Sequence, residues 1–323
     1  MCRSMSGSVT IGADLGGTKL AVGVVDSRDE TLASNEVPST GYSQEAVIDL
    51  LAQEIGRLAG EWPAVGAVGV GIPATIDFQR GYAISTVNLG LEDMPVREML
   101  AERLGMPVFI DNDANLALLA EADIGAARDT RDAVMLTLGT GVGGALLLDG
   151  ELYRGSTGAA AELGHIVIEF DGPKCQGNCR GRGCLEVFAS GTGIGRLGRE
   201  EAAKMPDSVL ARLVSEGETV DARAVGDAAR EGDPAALEAV HRAGRYLGAG
   251  LVSYANIFQP EMIVIGGGAM ALGDFLLDPA REEVRTRALR PMCDTPVVTA
   301  ELGPAAGMIG AAILARRETG KLS

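Results

Sequence analysis

The sequence predicts an α/β protein of two lobes. Apolar strands alternate with helical segments along the 323 residues, which is typical of α/β folds. The strand, glycine turn and strand of residues 9–26 recur in residues 133–149, so that Leu15 aligns with Leu138 and Asp26 with Asp149. The repeat indicates an internal duplication, with one hairpin per lobe and the two hairpins facing each other across a cleft, although short glycine-rich hairpins also resemble each other by chance.

The other elements follow from apolar periodicity and from proline and glycine boundaries. In chain order they are a strand over 65–72, a turn over 73–77, a helix over 95–104, a buried strand over 107–111, a helix over 115–125, polar surface helices over 200–233, a long helix over 234–258, a buried strand over 262–265 and a helix over 307–317. We expect a smaller lobe over 8–111 plus 307–320 and a larger lobe over 112–306.

Composition and charge exclude several classes of protein. Hydrophobic residues make up 46% and charged residues 22%, which indicates a folded globular chain rather than disorder. The charge of 28 basic minus 44 acidic residues is −16, and this disfavours nucleic acid as a partner because phosphate-backbone binding needs basic surface. No membrane span is evident, and the first eight residues lack the apolar core of a signal peptide, so we expect a cytoplasmic protein.

Two glycine turns are candidate phosphate sites. In Asp14-Leu-Gly-Gly-Thr-Lys19 the glycines let backbone N–H groups approach a phosphate, Thr18 and Lys19 can donate to it, and Asp14 can hold Mg²⁺ through water. The alternative is a tight hairpin turn with a solvated lysine. The turn Gly139-Thr-Gly-Val-Gly-Gly144 formally resembles a dinucleotide fingerprint, but a strand follows it rather than a helix. Two such turns facing one cleft favour a phosphate clamp.

Asp113 is the candidate general base. Phe109-Ile-Asp-Asn-Asp-Ala-Asn115 places polar residues where a buried strand ends and a helix begins. A half-buried carboxylate there can take a proton from a substrate, but the commoner role of such a residue is helix N-cap.

The sharpest cluster consists of His165 and three cysteines, Cys175, Cys179 and Cys184. One histidine and three thiols satisfy a tetrahedral Zn²⁺ ion, and five cysteines in a chain of this length indicate a metal site rather than a disulfide scaffold. Four protein ligands close the coordination shell, so this zinc is expected to be structural. Glu162 and Glu186 flank the cluster.

These motifs together resemble the ROK family of bacterial sugar kinases and regulators, above all in the run Leu-Thr-Leu-Gly-Thr-Gly-Val-Gly-Gly-Ala and the later Gly164-His165. The resemblance implies an actin-like ATPase fold, that is, a duplicated ribonuclease H-like fold of two lobes around a cleft. It also implies that Asp113 takes the proton from the sugar hydroxyl while that oxygen attacks the γ-phosphorus of ATP.

The resemblance assigns the other site residues as well. It implies sugar-hydroxyl ligands at Asn88, Asn112, Asp113, Glu162, His165 and Glu186. It implies phosphate and Mg²⁺ contacts from Asp14, Gly16, Gly17, Thr18, Lys19, Thr140 and Gly141, with Gly267 and Gly268 bordering the adenosine. In the family the histidine binds zinc through one ring nitrogen and the sugar through the other.

One departure concerns the metal loop. The family pattern is Cys-x-Cys, four residues and Cys, whereas three residues separate Cys175 from Cys179 here. A two-residue insertion explains the difference, and we expect all three cysteines to remain ligands.

The function class follows from these motifs. A repressor of this family carries a DNA-binding module ahead of the Asp14 motif, where only thirteen residues precede it here, and a purely sugar-sensing protein has no use for Asp113 and both turns. We therefore expect an ATP-dependent kinase for the 6-hydroxyl of glucose. Other sugars (fructose, mannose, allose, N-acetylmannosamine and N-acetylglucosamine) and other donors (GTP and polyphosphate) stay open, and the family suggests a homodimer or homotetramer.

Overall fold

The computed structural model describes residues 9–40, 42, 44–86 and 91–322, and the chain divides into two compact units. Unit 1 contains the chain up to Asp129, the segment Leu152–Ala161 and the chain from Glu301 onward. Unit 2 contains Thr130–Glu151 and Glu162–Ala300.

Unit 1 is built around a five-stranded sheet. Its elements are β1 (Val9–Leu15), β2 (Lys19–Val25), β3 (Thr31–Pro38), α1 (Gln44–Glu61), β4 (Val65–Ile72), β5 (Ala74–Asp77), β6 (Tyr82–Thr86), β7 (Glu92–Met94), α2 (Val96–Leu104), β8 (Val108–Asn112), α3 (Asp113–Ile124) and the C-terminal helix Ala306–Leu322. The strand order is β3-β2-β1-β4-β8; β1 pairs antiparallel with β2 and parallel with β4, which pairs parallel with β8. β5, β6 and β7 form a small separate sheet.

The C-terminal helix lies unusually close to the unit 1 sheet. A Cβ atom added to Gly12 would lie 1.8 Å from the carbonyl oxygen of Met308, and one added to Gly69 would lie 1.8 Å from that of Ala311. Glycine is therefore required at both strand positions for backbone to pack on backbone. The opposite face of the sheet packs against α1 and α2, where Ile48, Leu51 and Leu100 are fully buried.

Unit 2 repeats the sheet of unit 1. Its elements are β9 (Ala133–Leu138), β10 (Val142–Leu148), β11 (Glu151–Leu152), α4 (Glu186–Ala189), α5 (Gly191–Lys204), α6 (Val209–Ser215), α7 (Ala222–Arg230), α8 (Pro234–Phe258), β12 (Met262–Gly266), α9 (Asp274–Arg287) and β13 (Val297–Thr299), and the helix Ala306–Leu322 of unit 1 is α10. The strand order is β11-β10-β9-β12-β13. β9 pairs antiparallel with β10 and parallel with β12, as β1 does with β2 and β4.

The two predicted hairpins are thus present at equivalent places in two sheets of the same topology. Leu15 pairs with Leu20 at the end of the first hairpin, whereas Leu138 pairs with Val142 at the end of the second. The second turn is therefore one residue shorter than the first.

The predicted helix over 234–258 is confirmed as α8, which begins in a favourable way. Asp233 accepts a hydrogen bond from the backbone N–H of Ala236 at 2.9 Å, and Pro234 occupies the first helical position, where no N–H is needed. The acidic stretch 200–233 forms the end of α5 together with α6 and α7, as predicted.

Three local expectations differ from the structure. The predicted turn over 73–77 is wrong, because Ala74–Asp77 pairs as a strand with β6. The helix predicted from residue 115 begins at Asp113. The smaller lobe was expected to end at residue 111, whereas unit 1 extends to Asp129 because α3 packs on α10.

Within the described part of the chain, no helix has both the length and the apolar character that crossing a membrane would require.

Candidate active site

The carboxyl ends of three parallel strands meet at one edge of the unit 1 sheet. Asp14 on β1 pairs in register with Gly71 on β4, which pairs in turn with Asp111 on β8. Polar groups at these strand ends are therefore neighbours, although the sequence separates them by dozens of residues.

Asp14 occupies a tight, half-buried place at this edge. A Cβ atom added to Gly307, at the start of α10, would lie 2.4 Å from Asp14 Oδ2, and one added to Gly71 would lie 3.3 Å from Oδ1. Burial, and secondarily the negative charge of Asp113, raise the pKa of Asp14 to about 7, while Lys19 acts in the opposite direction. The two predicted carboxyl groups, Asp14 and Asp113, thus lie close enough to interact.

Asn112, not Asp113, caps helix α3. Asn112 Oδ1 accepts hydrogen bonds from the backbone N–H groups of Ala114 at 2.9 Å and Asn115 at 3.3 Å. Asp113 is the first helical residue and is half-buried. The alternative interpretation of Asp113 as the N-cap is therefore wrong, and its carboxylate lies at a helix N-terminus, where negative charge is stabilised.

Capping uses part of the Asn112 side chain that the family resemblance assigns to the sugar. Its Nδ2 also donates to the carbonyl oxygen of Ala74 at 3.2 Å. An amide nitrogen carries two hydrogens, so one donor remains for a ligand.

The first glycine turn closes on itself and leaves its tip exposed. The backbone N–H of Gly16 donates to the carbonyl oxygen of Lys19 at 2.8 Å, and Gly17 and Thr18 are exposed. The Lys19 ammonium pairs with Glu36 on β3 at 2.7 Å, with both side chains about half exposed. An exposed pair of this kind contributes only about 0–1 kcal/mol, so Lys19 can exchange Glu36 for a phosphate at little cost.

In unit 2 the structure brings the second glycine turn next to Gly267 and Gly268. β9 and β12 are parallel neighbours, so residues 139–141 and 267–268 follow them at the same sheet edge. A Cβ atom on Gly267, where φ is +91°, would lie 2.5 Å from the carbonyl oxygen of Leu138. The N-terminus of α5 supports the turn, since Thr192 Oγ1 donates to the carbonyl oxygen of Thr140 at 2.9 Å.

The structure also brings together His165, Cys175, Cys179 and Cys184. Their four donor atoms all lie within 4.8 Å of one another; His165 Nδ1 is 3.5 Å from Cys175 Sγ, and Cys179 Sγ is 3.9 Å from Cys184 Sγ. Tetrahedral Zn²⁺ with ordinary bond lengths separates two sulfur atoms by about 3.8 Å and sulfur from nitrogen by about 3.5 Å. The donor set therefore fits such an ion, and the longer loop between Cys175 and Cys179 does not remove a donor.

The two ring nitrogens of His165 face different partners. Nδ1 points to the thiols, and Nε2 lies 3.9 Å from Glu162 Oε2. Exclusion of water and, secondarily, the charge of Glu186 raise the pKa of Glu162, while His165 lowers it; the side chain is 59% exposed, which limits the effect. Burial raises the pKa of the Cys184 thiol, which a bound cation would reverse.

Glu186 connects the metal cluster to the glycine turn. It is the first residue of α4 and is buried. Its Oε2 accepts the backbone N–H of Val142 at 2.9 Å, and its Oε1 lies 3.7 Å from Cys175 Sγ. A Cβ atom on Gly141 would lie 2.4 Å from Oε2. Position 141 of the turn therefore needs glycine to leave room for the Glu186 carboxylate.

Sequence reasoning missed two contacts that support these residues. Arg154 donates to the buried carboxylate of Asp111, next to the Asn112–Asp113 pair. Tyr254 on α8 donates to the carbonyl oxygen of Leu163, between Glu162 and His165. A charged residue inside the apolar strand 107–111 was the available signal for Asp111, whereas nothing local marks Tyr254. Asn88 lies outside the described residues.

The chain is similar over nearly its whole length to proteins of one family. The ROK family model matches residues 10–318. The chain is 38% identical to the glucokinase of Thermotoga maritima, over 96% of this chain and 98% of the relative, and 36% identical to the glucokinase of Streptomyces coelicolor, over 95% and 98%. It also resembles the crystal structure of a ROK family glucokinase from Streptomyces griseus in complex with glucose and AMPPNP, with a TM-score of 0.84 and 35% identity over 96% of this chain and 100% of that one. The predicted actin-like ATPase fold class is confirmed.

Proposed function

This chain belongs to the ROK family, and from that premise we propose that it is an ATP-dependent glucokinase, which transfers the γ-phosphoryl group of ATP to the 6-hydroxyl of glucose. The observation that carries the proposal is the pair of interacting carboxyl groups, Asp14 and Asp113, at one edge of the unit 1 sheet. A kinase needs one carboxylate near the metal–nucleotide complex and another near the attacking hydroxyl. The similar proteins named as glucokinases support glucose as the acceptor.

Asp113 is the proposed general base. Its carboxylate accepts the proton of the sugar 6-hydroxyl as that oxygen forms its bond to the γ-phosphorus and the bond to the ADP oxygen breaks. The first position of α3 suits this role, because Asn112 caps the helix and Asp113 Oδ1 accepts the backbone N–H of Ala114 at 3.0 Å, which orients the carboxylate.

Phosphate contacts are proposed for both glycine turns. Backbone N–H groups of residues 16–19 and 139–141, together with Thr18, Lys19 and Thr140, supply positive potential in a chain of net charge −16. Asp14 is the residue we propose to hold Mg²⁺ through water, and that ion would neutralise phosphate charge. Gly267 and Gly268 are proposed to border the adenosine, because they follow β12 at the sheet edge that also carries the second glycine turn.

Glu162, His165 and Glu186 are the proposed glucose-hydroxyl ligands of unit 2, with Asn112 and Asn88 as further ligands. Glu186 Oε2 already accepts the N–H of Val142, so its Oε1 is the oxygen we assign to a hydroxyl. His165 Nε2 is the sugar-facing nitrogen, because Nδ1 faces the thiols.

Zinc is the metal we propose for the cluster of His165, Cys175, Cys179 and Cys184. A bound ion there would fix the ring orientation and tautomer of His165. A metal-bound thiolate has no proton to donate, which leaves Glu186 Oε1 for the sugar.

A coupled ADP-release assay tests the proposal. Pure protein with Mg-ATP is tested against glucose, fructose, mannose, allose, N-acetylmannosamine and N-acetylglucosamine, with Asp113→Asn as the matched inactive control. We expect the highest kcat/KM with glucose. A higher value with another sugar would make this a kinase for that sugar. If folded, metal-loaded protein phosphorylates none of these sugars with ATP, GTP or polyphosphate, the proposal that it is a sugar kinase is refuted. A cytoplasmic location and a homodimer or homotetramer stay predictions.

A further inference from the structure

Asp111 carries a fully engaged, buried carboxylate next to the proposed base. It is 1% exposed. Its Oδ1 accepts the backbone N–H of Asn112 at 2.8 Å and Nδ2 of Asn115 at 2.9 Å. These two residues flank Asp113, so one carboxylate holds the chain on both sides of the base.

The other carboxylate oxygen of Asp111, Oδ2, forms an ion pair with Arg154. Nε and Nη2 of Arg154 both lie 2.7 Å from Asp111 Oδ2. The guanidinium carbon also lies 4.0 Å from the centre of the Phe78 ring, a cation–π contact that fixes the plane of the guanidinium. Arg154 is 43 residues away in the chain and comes from the separate segment Leu152–Ala161.

The backbone of that segment approaches the small sheet closely. Gly158 has φ of +89°, and a Cβ atom there would lie 2.0 Å from the carbonyl oxygen of Ile76 on β5. The backbone N–H of Ala160 donates to the carbonyl oxygen of Arg154 at 3.2 Å. Arg154 therefore belongs to a segment that packs closely on the small sheet.

We propose that Arg154 is a positioning residue for phosphoryl transfer: through Asp111 it fixes the start of α3 and thereby the direction of the Asp113 carboxylate. The inference rests on the proposed role of Asp113 as base. Without Arg154, the buried carboxylate of Asp111 has lost its counter-charge, and removing one partner of a buried ion pair is strongly unfavourable. The carboxylate then turns toward water, and its hydrogen bonds to Asn112 and Asn115 weaken.

Proton transfer depends steeply on the placement of the base. We therefore expect Arg154→Met to lower kcat by about 30-fold while KM for Mg-ATP changes less than about 2-fold. Arg154→Lys keeps the charge but offers a single donor nitrogen in place of Nε and Nη2, and we expect it to recover about half of that loss on a logarithmic scale.

A double-mutant cycle separates action through Asp111 from a general loss of structure. If Arg154 acts through Asp111, Arg154→Met has almost no further effect on kcat in an Asp111→Asn background. Arg97→Met is the matched control, because Arg97 donates to the carbonyl oxygens of Phe78 and Gln79 in the same hairpin. We expect that control to retain the wild-type kcat.

Hydrogen exchange of the ligand-free protein supplies a readout that needs no activity. The backbone N–H groups of Ala114 and Asn115 donate to the Asn112 side chain, and we expect Arg154→Met to accelerate exchange of the peptide that begins α3 by about 10-fold, with Arg97→Met unchanged. If the wild-type protein phosphorylates no sugar, the proposed function fails and this measurement still tests the linkage.

Three results would overturn the inference: a wild-type kcat in Arg154→Met, losses that add fully in the double variant, or unchanged exchange at the start of α3. Should Arg154→Met fail to fold, Arg154→Lys replaces it in the double-mutant cycle with Asp111→Asn and in the exchange measurement.

Discussion

Removal of one buried hydroxyl tests how the turn that we propose to bind glucose is held. Tyr254 is 1% exposed, and its hydroxyl donates to the carbonyl oxygen of Leu163. Leu163 begins the short 3-10 turn that ends at His165 and follows Glu162 directly. Tyr254→Phe keeps the ring and its packing, so the substitution removes only this hydrogen bond.

The expected effect can be worked out from that contact. An unmade hydrogen bond that leaves a buried carbonyl unsatisfied costs about 1–3 kcal/mol, and because the aromatic ring stays in place there is no large cavity to add to it. A loss of about 2 kcal/mol lowers the Tm of a unit of this size by about 4–8 °C. Release of the Leu163 carbonyl also frees the turn, so we expect KM for glucose to rise about 3–10-fold with KM for ATP nearly unchanged.

Thermal unfolding and the coupled ADP assay measure both effects. Tyr42→Phe is the control, since that tyrosine is 44% exposed. An unchanged Tm in Tyr254→Phe, or a rise in KM for ATP that equals the rise for glucose, would refute the reasoning.

Three further predictions test other parts of the site. Asp113→Asn should lower kcat by about 10²–10⁴-fold while calorimetry finds glucose affinity within about 2-fold of wild type, and substantial remaining turnover would exclude Asp113 as the base. Cys184→Ser should lower zinc content by elemental analysis and weaken glucose binding together, whereas Cys293→Ser, outside the cluster, should change neither; wild-type protein without zinc would contradict the metal assignment. Asp14 has a pKa of about 7 against an ordinary value of 3.8, so the folded state binds more protons than the unfolded state between these values and loses stability as the pH rises through that window. Asp14→Asn should therefore raise Tm more at pH 8 than at pH 5 in metal-free buffer, and an equal change at both pH values would contradict the raised pKa.

Local patterns in the sequence predict most of the secondary structure. Both hairpins, the strand over 65–72 and the helix over 234–258 were predictable, because alternating apolar residues, glycine turns and the Asp233-Pro234 cap act over a few residues. The prediction of a turn over 73–77 was wrong, because Ala74–Asp77 pairs as a strand with β6 after Pro73. No local sequence pattern indicates that pairing.

Some parts of the candidate site were likewise predictable from local sequence, and others were not. The four metal donors lie within twenty residues of one another in the chain, and their spacing alone indicated a metal site. Asn112 and Asp113 are adjacent and both are capable of capping α3; the geometry at the end of β8 decides that Asn112 does so. The resemblance to a known family, rather than spacing, had singled out Asp113 as the base.

By itself, the sequence predicted the α/β class, the two glycine turns and the candidate metal-ligand set, because each depends on residues close together in the chain. Only the tertiary structure decided how these parts are supported. Arg154 meets Asp111 across 43 positions, Glu186 meets Val142 across 44 and Tyr254 meets Leu163 across 91. A buried polar group must find its partner wherever the packing of strands and helices places one, and that packing is a property of the whole chain rather than of any short stretch of it.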